Sequence, residues 1–389
     1  MKERAKVLQS ILGQLHAGKT VEDVKAEFQD AFHDVPATEI AAAERELMQS
    51  GVPVEEIQNL CDVHATLFEG NVQEASFDAA GGHPLTVFSE ENRGILAFLD
   101  GEWTDALTAY EQDPASGKAN FESALRTLSK VDRHYTRKET LLFPYLERGG
   151  VTAPPKVMWG VDDEIRALLK SAAEDSAHAA DHARAAEEKI RSMVKKEEEI
   201  LKPMLIHHLT EADWKVVAQE SPQIGYVFTG GREGASPSDA AAWLRDGTAE
   251  PQPVNDAPIQ LPSGHFTTET LTAMLNSLPA DLSFVGADDT VHFFSETKDR
   301  IFPRTRTIIG RNVSDCHPPK SLHVVEALVQ AFKDGTKDSE SFWIQKGDLL
   351  ILIRYFAVRD ADGTYLGVVE TTEEISALQK LEGQKTLLS

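Results

Sequence analysis

The sequence predicts a multidomain chain: an all-α N-terminal helical module and an up-down four-helix bundle, followed by an α+β domain with an antiparallel sheet. Three observations predict it. Helical periodicity punctuated by Gly, Pro or Ser/Thr fills the chain to about Trp214. Two of its helical segments repeat one another in register. Beyond a stretch rich in Gly, Pro and Ser, the periodicity changes to that of strands.

The first module, residues 1–75, reads KVLQSILGQLHAG, VEDVKAEFQDAF and TEIAAAERELMQSG, each an amphipathic helix. The Gly- and Ala-rich break FDAAGGHP leads into a second region, 80–215, with helices predicted over 84–100, 117–147, 160–172 and 177–207. Long amphipathic segments in that number suggest an up-down bundle. Residues 216–265, with SPQIGYVFTGGREGASPSD and AEPQPVNDAPIQLPSG, read as a linker with one short helix. Residues 266–381 then alternate as strands, GADDT and RDADGTY supplying hairpin turns and SLHVVEALVQAFKDG a helix.

Composition excludes several functions. A formal charge of -24 repels nucleic-acid phosphates and an anionic membrane surface, so neither is an expected partner. The opening MKERAKVLQSILGQLHAGKT has no secretory pattern, and no apolar run reaches the length of a membrane span, which predicts a cytoplasmic protein. Cys61 and Cys316 fall in different domains and read as thiols or ligands rather than a disulfide framework. No Walker loop, G-x-S-x-G, H-E-x-x-H or strand-linked GxGxxG is present, so no enzyme activity is expected; TGGREG at 229–234 sits in the linker.

The internal repeat carries the strongest functional signal. HYTRKETLLFPYL (134–146) aligns with MVKKEEEILKPML (193–205) at a Glu, a Leu, the Pro and the final Leu. The preceding ENRGILAFL (91–99) and DDEIRALLK (162–170) share an acidic start and an apolar continuation. Over about 80–215 this pattern resembles the hemerythrin-like HHE cation-binding family. The resemblance implies that each helix pair supplies a His from its first helix and His-x-x-x-Glu from its second, holding two iron ions. His134 stands at the family's His position, but Lys138 replaces the Glu, with Glu139 about 140° round the helix from His134. Met193 replaces the second His, Glu197 keeps the Glu position, and Asn92 and Asp162 stand where first-helix His residues are expected. Lys138 is then expected to pair with Glu197 or Asp162 and replace the metal's charge.

Other ligand candidates lie nearby. Cys61-x-x-His64 places a thiol and an imidazole on one helix face, although an isolated pair of this kind is more often structural. His83 precedes Pro84, a first-turn residue, and so lies near one end of the bundle. GKTVEDVKAEF and GVPVEEIQNLCDVHATLFEG, with HYTRKETLLFPYLERGG and PPKVMWGVDDEIRALL, resemble the DUF438 family, which joins that domain to a hemerythrin-like domain and often to a PAS domain. Within that frame Cys61, His64, His83 and His134, with Glu139 and Glu197, are the candidate metal ligands, for non-haem iron or for haem. His207 and His208 are expected to face the helix C-terminus or water.

SLPADLSFVGADDTVHFFSE, IIGRNVSDCHPPKSLHVVEALVQAF and FWIQKGDLLILIRYFAVRDADGTYLGVVETTEEI resemble a PAS sensor domain. Cys316, His317, Trp343 and Tyr355 are its candidate ligand-binding residues, the alternative being a turn for CHPP and sheet core for the aromatics. The expected function is a metal- or haem-binding sensor of gas or redox state. The alternatives are iron storage or delivery for repair, and a metal-free interaction scaffold favoured by Lys138, Met193 and Asn92. A protein output partner and a homodimer through the PAS domain are the expected assemblies.

Overall fold

The structure, a computed structural model, describes residues 82–229, 238–246, 258–298 and 300–384, with isolated positions between 6 and 27. Cys61, His64 and most of the predicted module 1–75 lie outside the described residues. The chain divides into two compact units, residues 1–249 with 318–320, and residues 250–317 with 321–389.

The first unit is helical. α1 (Pro84–Phe98) starts at a proline, whose missing N–H is no loss in a first turn, and His83 caps it by accepting from the Leu85 N–H at 3.1 Å. A wide π turn, Leu99–Trp103, leads into α2 (Thr104–Gln112), a segment the sequence reading left out. Asp113 then caps α3 (Pro114–Leu128). The predicted helix 117–147 is continued, after a tight turn at 129–130, by α4 (Val131–Arg137), a π turn (Lys138–Leu142) and α5 (Phe143–Arg148). α6 (Ala153–Glu174) runs along α7 (Ala179–Lys196), which passes through a π turn (Glu197–Leu201) into α8 (Lys202–His208). Thr210 and Asp213 form a reciprocal cap on α9 (Glu211–Ile224), and α10 (Ser238–Asp246) follows.

The two π turns that begin at Lys138 and Glu197 have a common cause. Each lies just before an X-Pro step, Phe143-Pro144 and Lys202-Pro203. Proline cannot donate to the carbonyl four residues earlier and its ring crowds that carbonyl, so the turn widens. The repeat legible in the sequence is thus a repeat of backbone geometry, and it places Lys138 and Glu197 at equivalent positions. The core between the helices is apolar and closed: Ile95, Leu99, Trp103, Leu128, Phe143, Ile165, Ile190, Met193 and Leu201 are fully buried.

The second unit opens with a hairpin of β1 (Ile259–Leu261) and β2 (Gly264–Phe266), then α11 (Thr268–Asn276). Its antiparallel sheet comprises β3 (Asp281–Gly286), β4 (Val291–Phe294), β5 (Ser339–Lys346), β6 (Leu349–Arg359) and β7 (Tyr365–Glu374) in the order β4-β3-β7-β6-β5. The GADDT turn closes β3 on β4 with Asp289 at φ +64°, a conformation Asp tolerates. α12 (Pro319–Lys333) connects the sheet's halves and sets Phe332 into a core with Val285, Val291, Ile308 and Val368.

Candidate functional site: a charged centre in the bundle

The bundle's centre is ionic. His134 on α4 has both ring nitrogens engaged, Nδ1 with Glu91 Oε2 of α1 at 2.8 Å and Nε2 with Glu197 Oε2 at 3.0 Å. Phe88 stacks on its ring at 4.2 Å between centroids. One turn on, Lys138 Nζ donates to Asp162 Oδ1 of α6 at 2.9 Å and to Glu197 Oε1 at 2.5 Å, and lies 4.5 Å above the Tyr135 ring. Arg137 donates through both Nη1 and Nη2 to Glu91, each at 2.7 Å. Arg166 grips Glu139 in the same two-pronged way, at 2.9 and 3.0 Å. His134, Lys138, Glu91 and Asp162 are 0% exposed and Glu197 1%.

The arrangement balances. The carboxyls of Glu91, Glu139, Asp162 and Glu197 face Arg137, Lys138, Arg166 and His134, so four anions meet four cations when all four carboxyls are ionised and His134 is protonated to the imidazolium. Burial disfavours that imidazolium, but Glu197 and then Glu91 outweigh burial and raise its pKa above 6.5. Burial likewise opposes the charge of Lys138, and Asp162 and Glu197 overcome it and raise its pKa. Glu197 is held down to about 2, because Lys138 and His134 outweigh its burial. Asp162 and Glu139 are the exceptions: burial pushes Asp162 up to about 6, with Lys138 offsetting this only in part, and burial with the charge of Asp162 raises Glu139 well above its ordinary 4.5 despite Arg166. The Asp162 Oδ2 and the Tyr135 hydroxyl have no protein partner among the described residues.

A pair of iron ions does not fit this arrangement. Both nitrogens of His134 are bonded to carboxylates, and the Lys138 ammonium occupies the point between Asp162 and Glu197 where a shared cation would sit. Among the described residues no group of three or more His, Cys, Asp or Glu side chains is placed to hold a metal ion. The residues present fit a tethered ammonium, which supplies positive charge between two carboxylates without any bound metal.

Of the six metal-ligand candidates, the structure brings His134 and Glu197 together and sets Glu139 beside them on Arg166. His83 stands apart: it lies eight residues, or about 12 Å of helix rise, before Glu91 on α1. Its ring packs 4.9 Å from Trp214 and 5.1 Å from Trp243, and burial lowers its pKa to about 4. Cys61 and His64 lie outside the described residues. In the second unit Cys316 and Tyr355 pack against the core. Burial lowers the His317 pKa and raises that of Tyr355, which pairs across the sheet with Glu370; the charge of Glu370 acts on both groups. Trp343 faces away, 67% exposed on the edge strand β5.

Sequence reasoning missed Glu91, Arg137 and Arg166 as parts of the centre. The family's His position pointed to Asn92, but Asn92 bonds Glu198 at 3.0 Å, and its neighbour Glu91 faces His134. The alignment of ENRGILAFL with DDEIRALLK had put Glu91 in register with Asp162, which was the usable signal.

A helical bundle built on paired π turns around a charged centre, on the same chain as a domain with a five-stranded antiparallel sheet, defines a two-module architecture. Residues 83–205 match the hemerythrin HHE cation-binding domain, 271–376 a PAS domain, and 8–74 a family of unknown function, DUF438. The chain thus carries a DUF438 region, a hemerythrin HHE domain and a PAS domain in that order. Among solved structures, a C-terminal domain from Streptococcus mutans is 30% identical over 33% of this chain and 98% of its own, with a TM-score of 0.31. A sensory box sensor histidine kinase from Vibrio cholerae is 16% identical over 27% and 90%, with a TM-score of 0.22. A PAS domain from Colwellia psychrerythraea is 10% identical over 28% and 97%, with a TM-score of 0.23. No curated protein matches the chain. No helix among the described residues is long and apolar enough to cross a membrane.

Proposed function

We propose that the chain is a sensory regulatory protein whose HHE bundle and PAS domain are input modules, and whose bundle centre works with Lys138 in place of a metal cation. The observation that carries this reading is the fully buried Lys138 ammonium bonded to both Asp162 and Glu197. The two-module composition supports the sensory part. Output passes to a protein partner or through self-association of the PAS domain. Iron or haem, the cofactor for a gas or redox signal, is in this reading bound away from the centre, by His83 with Cys61 and His64. His83 suits that role because burial keeps its imidazole neutral, the form a metal requires.

Elemental analysis and absorption spectra test this on the full chain, before and after addition of ferrous iron or haemin. Wild-type protein is expected to form no iron pair in the bundle, whereas K138E, which completes His-x-x-x-Glu after His134, gains iron. Metal or haem bound by the wild type should be lost in H83A and kept in H134Q. A near-ultraviolet oxo-bridge band in the wild type that disappears in E197Q would overturn the reading.

A further inference from the structure

After α9 the chain turns back over α1, and the contact it makes there is built with unusual closeness. A Cβ added to Gly94 would stand 2.0 Å from the Phe228 carbonyl oxygen, and one added to Gly82 would stand 2.1 Å from that of Asp239. Only glycine allows the backbone at Phe228 and at Asp239 to lie this near Gly94 and Gly82. Val87, Tyr226 and Ala240 form a small core of their own, and Trp243 covers His83.

The same segment is tied to the ionic centre. Val227 N–H donates to Glu91 Oε1 at 2.9 Å, Arg137 Nη1 reaches the Gly225 carbonyl at 3.3 Å, and the Arg137 guanidinium lies 4.6 Å over the Tyr226 ring. Glu91 therefore accepts from His134, twice from Arg137, and from Val227. A carboxylate offers about four acceptor positions, so this one is saturated. Any rearrangement of the centre that draws Glu91 away takes the hydrogen bond from Val227 with it.

We infer that residues 225–229, with 238–243 packed beside them, form a releasable clasp whose seating on α1 reports the state of the charged centre through Glu91. A cap held by packing alone would need neither the Val227 bond to Glu91 nor the Arg137 bond to Gly225. The clasp is also the stretch of chain that continues toward the PAS domain, so its release alters the segment leading to the second module. The inference does not depend on whether the protein binds iron, because the Val227–Glu91 and Arg137–Gly225 bonds that carry it involve none of the proposed iron ligands His83, Cys61 and His64.

Hydrogen exchange followed by mass spectrometry on the full chain tests it, with wild type, G94A, E91Q and K138M compared. G94A removes the clasp sterically and defines its released signature. E91Q is expected to speed exchange in 225–228 by roughly tenfold or more, the effect of losing a bond to a charged acceptor, while α6 and α7 keep wild-type protection. K138M, which touches no clasp residue, should also speed exchange there, acting through Glu197, His134 and Glu91. Unchanged exchange at 225–228 in both E91Q and K138M, with release in G94A, would show a static cap and overturn the inference. Uniform loss of protection across the bundle in E91Q, with no separate opening of 225–229, would overturn it as well.

Discussion

The bundle's two helix pairs share a backbone plan and divide the charges between them. In register, Glu91 corresponds to Asp162, His134 to Met193, Arg137 to Lys196 and Lys138 to Glu197. Both pairs open a π turn before a proline, and the residue that opens it faces the centre, as a cation in the first pair and an anion in the second. The scaffold of the resembled family is here closed by a lysine at one of its Glu positions, with Asn92, Asp162 and Met193 standing at its other His positions. The lesson is electrostatic: two buried carboxylates need a cation, and a side chain rooted at the pseudo-symmetric position supplies it.

The largest effect follows from removing that cation. K138M leaves Asp162 and Glu197 buried without their shared partner, and denaturant titration should show a loss of about 3–5 kcal/mol. Exchanging the charges in the double variant K138E/E197K keeps the pair and should recover most of the loss seen in K138E alone. Failure of the exchange to recover stability would break the claimed equivalence of the two positions.

That equivalence was partly legible in the sequence. The shared Glu, Leu and Pro of 134–146 and 193–205 revealed the repeat, and Lys138 at a Glu position predicted an ion pair with Glu197 or Asp162, which the structure contains. The partners Arg137 and Arg166 were not legible, because a charged residue on an amphipathic helix reads by default as solvated. Only the surrounding helices reveal that Arg137 is 4% exposed. Glu91 was missed for a related reason: one residue is 100° of helix rotation, finer than a family position can be placed by eye. The strands and hairpins of the PAS domain were legible because alternation and turn residues are local, whereas the exposure of Trp343 depends on β5 being an edge.

The next effect is the pH dependence of the two pairs. In the first, His134 is raised above its ordinary 6.5, so its contribution is fully present below that pH and is lost as pH rises through the elevated value. In the second, Glu197 falls from 4.5 to about 2, so its contribution is present above pH 4.5 and lost as pH falls toward 2. That shift corresponds to about 3 kcal/mol. Asp162, raised from 3.8 to about 6, works the other way and removes stability as pH rises across that interval. Urea midpoints measured against pH should therefore lose their alkaline limb in H134Q and their acid limb in E197Q. An alkaline limb unchanged in H134Q would place the imidazolium elsewhere than in the buried balance.

The smallest effect compares Glu139 with its counterpart Glu198. Glu139 is 5% exposed and takes both prongs of Arg166, so E139Q removes the buried partner of a guanidinium that is 25% exposed and also held by Asp132 and Asp163. Glu198 reaches the other pair's first helix in the same way, bonding Asn92 and Ser89, but its side chain is 32% exposed and its cation, Lys202, is 34% exposed. Water replaces what Glu198 supplies more readily than what the buried Glu139 carboxyl supplies. Burial, not the pattern of contacts, should then set the difference: about 1.5–3 kcal/mol for E139Q, the range for a hydrogen bond to a charged group, against less than about 1 kcal/mol for E198Q. Equal losses in the two variants, measured by the same denaturant titration, would mean that the pseudo-symmetric contacts and not their burial govern stability at these positions.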